Sequence, residues 1–101
     1  MRALLIDKSG STVLSSQVKY DHPCIPTDIR GKAEQEPDFY YDRLCEAGAL
    51  LKQMDTQNRF KDIIAVTITC IRDTVLILDK DHKPLRNIIV WMDERRAKGD
   101  P

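Results

Sequence analysis

The chain opens on a short apolar run, Arg2-Ala3-Leu4-Leu5-Ile6, that stops at the turn-forming stretch Asp7-Lys8-Ser9-Gly10-Ser11. Thr12 to Tyr20 follows, rich in β-branched and hydroxyl side chains, so residues 2–20 read as a β-hairpin. Residues 21–36 hold Pro23, Pro26 and Gly31 among several charges and show no sustained period. They read as an irregular connection, and connections of this length are often functional. The period then changes. Tyr40, Leu44, Ala47, Leu51 and Met54 recur at steps of four and three, which predicts a helix over 37–57. Pro37 and Asp38 suit its first turn. Residues 63–69, Ile-Ile-Ala-Val-Thr-Ile-Thr, form a nearly unbroken β-branched run and predict a strand buried on both faces. A further strand is expected over 74–79, a turn at Lys80 to Pro84, and a last strand over 88–91. The order β-β-α-β-β-β makes the class mixed α/β.

Length and charge narrow the field. With 101 residues there is room for one modest core. The 16 basic and 16 acidic residues cancel, which removes the electrostatic argument for nucleic acid or an anionic membrane as partner. No apolar stretch approaches the roughly 20 residues of a membrane-spanning helix. Cys24, Cys45 and Cys70 are widely spaced, with no Cys-x-x-Cys pair, so they read as free thiols in a reducing cytoplasm. Asp79, Asp81 and His82 read as a tight turn rather than a metal site, and His22 as a loop histidine. No metal or cofactor ligand set is assigned.

Two places carry candidate chemistry. Arg72 and Asp73 directly follow an expected strand, at its carboxyl end, where ligands collect in open α/β sheets. A guanidinium offers a fork of donors and a carboxylate offers acceptors, so the pair suits vicinal hydroxyls. A turn ion pair without a ligand is the alternative. Trp91 ends a short strand and is either a wall for a ligand's carbon face or a partly buried core residue. Asp93 is either a hydroxyl acceptor or a helix cap.

Three segments resemble the FGGY family of carbohydrate kinases. Arg2 to Gly10 is similar to the family's second strand. Ala65 to Thr74 is similar to the strand and turn that carries an Arg-Glu pair in glycerol kinase-like members. Leu78 to Arg95 resembles the family's D-x-x-G-x-P-L-x-x-x-I-x-W-x-D-x-R stretch, and Glu34-Gln35-Glu36-Pro37 its acidic segment. The resemblance covers nearly the whole chain and extends to xylulokinase-like and glycerol kinase-like sugar kinases. It implies that residues 1–101 are part of the family's N-terminal domain, a ribonuclease H-like, actin-like ATPase domain, truncated and lacking the first phosphate-loop strand. It implies an enzyme that transfers a phosphoryl group from ATP, with Mg²⁺, to a hydroxyl of a sugar or polyol. Arg72, Asp73, Trp91 and Asp93 would be substrate-binding residues, while the catalytic base, ATP and Mg²⁺ would be held elsewhere. The 101-residue chain alone is then expected to be inactive, and the remainder of the kinase is its expected partner. With a central strand missing, exposed strand edges would favour homo-oligomers. The alternative is a non-catalytic fragment or degenerate paralogue that binds only a small polyol or a protein.

Overall fold

A computed structural model describes residues 1–96; the last five residues of the expected 1–101 domain lie outside the described part. The chain divides into two compact units, one made of 1–20 and 38–69, the other of 21–37 and residues from Cys70 onward.

The first unit is a hairpin and a helix. Strand β1 (Arg2–Ile6) pairs antiparallel with β2 (Thr12–Gln17), Leu5 opposite Leu14 and Ala3 opposite Ser16, with a bulge between Leu5 and Ile6. The connecting turn is closed by one side chain. Asp7 Oδ1 accepts from the Ser9 and Ser11 N–H groups at 2.9 and 3.0 Å and from Ser9 Oγ at 2.6 Å. Gly10 supplies the left-handed φ of 85° that the turn needs. Helix α1 (Phe39–Met54) packs on both strands. Of the apolar stripe, Ala47 and Leu51 are buried, Tyr40 and Leu44 are half-buried, and Met54 is exposed because it sits in the last turn. Buried Ser16 donates through Oγ to the Ala47 carbonyl at 2.7 Å and ties the hairpin to the helix. Asp38 is the N-cap residue, so Pro37 precedes the helix instead of opening it. Beyond α1, Asn58 takes a left-handed φ of 53° and a short 3-10 turn, Arg59–Asp62, follows.

The expected strand at 63–69 does not form. Its residues are exposed, Ile64 by 90% and Val66 by 83%, and no strand pairing among the described residues includes them. An extended apolar segment becomes a strand only when a partner accepts its backbone hydrogen bonds, and none is adjacent here.

In the second unit, β3 (Glu34–Gln35) pairs antiparallel with β4 (Ile88–Ile89). The expected loop over 21–36 therefore ends in a buried strand. Ile25 N–H bonds to the Glu34 carbonyl, and Val75 and Ile89 exchange both backbone hydrogen bonds, at 2.9 and 3.0 Å, which extends the ladder on each side. The expected strand over 74–79 is reduced to isolated bridges, Val75 with Ile89 and Leu78 with Pro84, the second flanked by the Asp79 N–H to Lys83 carbonyl and Leu85 N–H to Ile77 carbonyl bonds. The expected strand over 88–91 is cut to Ile88–Ile89, since Trp91 enters a turn. Among the described residues of this unit, Ala33, Ile88 and Val90 are the buried apolar ones.

Candidate functional site

The candidate site grows from the Val75–Ile89 bridge. Arg72 and Asp73 occupy a turn just before Val75, and Trp91 lies just after Val90. Beyond the Val75–Ile89 bridge both segments turn, Asp73 lying two residues before it on one and Trp91 two residues after it on the other. The Trp91 N–H confirms the approach by donating to Thr74 Oγ1 at 3.3 Å. Asp73 has a φ of 58°, a left-handed conformation that Asp tolerates better than most residues.

Ile71, Arg72, Asp73 and Trp91 line one open concavity of about 450 Å³, a volume within the range of small-molecule sites. Trp91 is 60% exposed in the described chain. The concavity thus joins a guanidinium, a carboxylate, an aliphatic side chain and an aromatic face. Three of the residues singled out in the sequence meet here. Ile71 was not singled out; its apolar character beside Arg72 was the signal available.

Asp93 stands apart, in a second concavity of about 360 Å³ with Arg86, Ile89, Arg95 and Arg96. Its carboxylate is committed internally. Oδ2 accepts from the Ala33 N–H at 2.9 Å and from Arg95 Nη2 at 2.6 Å. Oδ1 accepts from the Arg95 N–H and Nε, both at 3.0 Å. Bonding to the Arg95 guanidinium holds the Asp93 carboxyl well below the usual carboxylate range, although burial opposes this. Arg95 Nη2 also reaches Glu34 Oε1 at 2.7 Å, and Arg86 donates to the same oxygen at 2.8 Å. Glu34, nearly buried, is likewise held low, first by Arg95. Asp93 is thus engaged by Arg95 and by the Ala33 N–H. Glu34 was legible only as part of an acidic segment, because Arg86 and Arg95, which bond its carboxylate beside the nearby Lys32, lie far along the chain.

The remaining candidates are structural. Asp79 Oδ1 accepts from the Asp81 and Lys83 N–H groups at 2.8 and 2.9 Å, which is the tight turn expected there. His22 is an exposed loop residue whose carbonyl accepts from Gln35 Nε2 at 3.5 Å. Burial, then the Asp93 charge, push the Cys24 thiol up, so it is a poor nucleophile.

Comparison with known proteins places these observations in a lineage. The sequence profile of the FGGY family of carbohydrate kinases, N-terminal domain, matches residues 1–99. A glycerol kinase of Leifsonia xyli is 35% identical over 96 residues, covering 93% of this chain and 18% of that protein. A glycerol kinase of Marinomonas is 36% identical over 98 residues, covering 95% of this chain and 19% of that protein. A xylulose kinase of Bacillus subtilis is 27% identical over 95 residues, covering 94% of this chain and 18% of that protein. The chain therefore spans about a fifth of the length of these relatives. No solved structure matches it.

Proposed function

This chain belongs to the FGGY family of carbohydrate kinases, and from that membership we propose that it forms part of an ATP-dependent kinase acting on a hydroxyl of a small sugar or polyol. Its share of the work is to bind the polyol. The observation that carries this reading is the concavity in which Arg72, Asp73 and Trp91 converge.

The chemistry suits a neutral, hydroxyl-rich ligand. Arg72 donates to two neighbouring hydroxyl oxygens, and Asp73 accepts from hydroxyl hydrogens. Trp91 and Ile71 offer apolar surface to the C–H face, where an indole excludes water. Phosphoryl transfer depends mostly on positioning, so fixing the polyol is itself a contribution to the rate. The relatives' names point to glycerol and xylulose as the first ligands to try.

The same residues do not fit a nucleoside triphosphate with magnesium. Water and phosphate supply most of the oxygens around magnesium, so the protein's chief contribution is a cradle of N–H groups and cations for the phosphates. The concavity offers a single carboxylate and a single guanidinium. We therefore assign the nucleotide to the remainder of the kinase. No helix of the described chain is long and apolar enough to cross a membrane.

Isothermal titration of the chain with glycerol and with xylulose tests the reading. Saturable binding that Arg72→Ala weakens about ten- to a hundredfold, the worth of a charge-assisted hydrogen bond, is the expected result. A folded chain that binds neither compound, or binds them equally well without Arg72, overturns the assignment. Polyol binding that supports no phosphoryl transfer in the complete protein would favour the non-catalytic alternative.

A further inference from the structure

An indole exposed by 60% is an uncommon feature, and the backbone beneath this one is held at every corner. Trp91 is the second residue of a turn closed by the Asp93 N–H donating to the Val90 carbonyl at 2.8 Å. The Val90 N–H donates to the Ala33 carbonyl at 3.0 Å, and the Ala33 N–H donates back to Asp93 Oδ2 at 2.9 Å. Glu94 N–H reaches the Gly31 carbonyl at 2.8 Å. Both ends of the turn are thus fastened to residues 31–33.

One guanidinium then locks this arrangement. Arg95 grips both oxygens of Asp93 and passes on to Glu34 through Nη2. Both carboxylates are nearly removed from solvent, with side-chain exposures of 5% for Asp93 and 9% for Glu34. Charges so placed need fixed partners, because an uncompensated buried charge is strongly destabilising. The planar fork of arginine bridges two carboxylates in a way a lysine ammonium cannot.

We infer that Glu34, Asp93 and Arg95 are positioning residues for Trp91, clamping the turn that carries the indole so that it faces Arg72 and Asp73 at a fixed height. The clamp rests on the polyol-binding reading for its purpose but not for its existence. It gives Asp93 a role through Trp91 instead of through the ligand. It also makes the depth of the concavity, and hence the size of polyol it accepts, depend on residues that never touch the polyol.

Trp91 is the single tryptophan of the chain, so its fluorescence reports on the clamp directly, with no ligand present. Time-resolved anisotropy is measured on the parent chain, Arg95→Ala and Arg86→Ala. Both variants remove an arginine from Glu34, but only Arg95 also holds Asp93 and the turn. In Arg95→Ala the amplitude of fast local motion is expected to rise about twofold, the step from an ordered to a flexible backbone. In Arg86→Ala it is expected to stay at the parent value. Helical circular dichroism checks that α1 persists. Should Arg95→Ala fail to fold, Asp93→Asn keeps an acceptor for Ala33 N–H, drops the ion pair, and is expected to raise the motion to an intermediate level. Unchanged motion in whichever of the two folds, or an equal rise in Arg86→Ala, overturns the clamp. A second arm uses glycerol titration. Arg95→Ala is expected to weaken binding about tenfold in the parent and not at all in a Trp91→Ala background, the non-additivity of coupled residues. A loss that persists without Trp91 overturns the inference. Absence of glycerol binding in the parent overturns the polyol reading alone and leaves the anisotropy result to decide the clamp.

Discussion

Strand β1 and residues 63–69 are the instructive pair in the first unit. Arg2-Ala3-Leu4-Leu5-Ile6 has only one β-branched residue, yet it is a strand. Ile-Ile-Ala-Val-Thr-Ile-Thr is dominated by them, yet it is exposed and unpaired. Intrinsic preference ranks the two segments in the wrong order. The difference lies in partners. β1 has β2 a few residues away, a turn fastened by Asp7, and a helix to cover Ala3 and Leu5. Residues 63–69 have no such neighbour in the described chain. β-propensity describes how well a side chain fits a paired, half-covered surface, so without the surface it predicts little.

Substitutions can break this contrast, the largest effects coming from the covered side. Leu51→Ala, at a position 5% exposed under the hairpin, is expected to cost about 2–4 kcal/mol by urea unfolding, the range for emptying a buried leucine site. Val66→Ala in the exposed segment is expected to change stability by less than about 0.5 kcal/mol. Equal losses at the two positions would show that 63–69 is packed in solution.

The next effect is smaller. Ser16→Ala removes the buried hydrogen bond to Ala47 and is expected to lower stability by about 1–2 kcal/mol in the same assay. A neutral result would mean the hairpin and helix are held by apolar contact alone.

Asp7 sharpens the role of the turn through pH. Its hydrogen bond from Ser9 Oγ, then that from the Ser11 N–H, hold its carboxyl below the ordinary 3.8. A carboxyl lowered on folding stabilises the folded chain above its ordinary value, and that contribution is lost as pH falls through the lowered one. Asp7→Asn is therefore expected to be less stable than the parent at neutral pH, and the two unfolding midpoints should converge in acid. Midpoints that stay parallel from neutral pH to pH ~2 would remove Asp7's charge from the account of the hairpin.

The smallest stability change is expected where the chain is bare. Ile64→Lys with Val66→Lys should leave the unfolding midpoint within about 0.5 kcal/mol. If the parent chain associates through this exposed apolar segment, the same pair is expected to lower its light scattering, since charge blocks strand pairing between chains. Equal scattering by the parent and the double variant would show that residues 63–69 drive no association between chains.

Legibility along the chain followed sequence distance. The hairpin and the helix were readable to within a few residues because turns, caps and the helical repeat act over short separations. The shortened strands were not, because the turn at Asp79 to His82 and the turn at Val90 to Asp93 set where the pairing ends. At the site, Arg72, Asp73 and Trp91 were legible by residue type and family resemblance, and their meeting in one concavity follows from the Val75–Ile89 bridge. Asp93 was legible as a chemically interesting carboxylate but not as one consumed by Ala33 and Arg95.

What the sequence determined by itself was therefore local: an Asp-Ser-Gly turn, an amphipathic helix, an arginine beside an aspartate, and motifs sufficient for the family. The tertiary structure alone decided which apolar segment gained a partner, that Arg72, Asp73 and Trp91 share one concavity, and that Glu34 and Asp93 share one guanidinium. The physical reason is that hydrogen-bond partners across tens of residues are chosen by the register of the surrounding backbone. No single residue's preference carries that register.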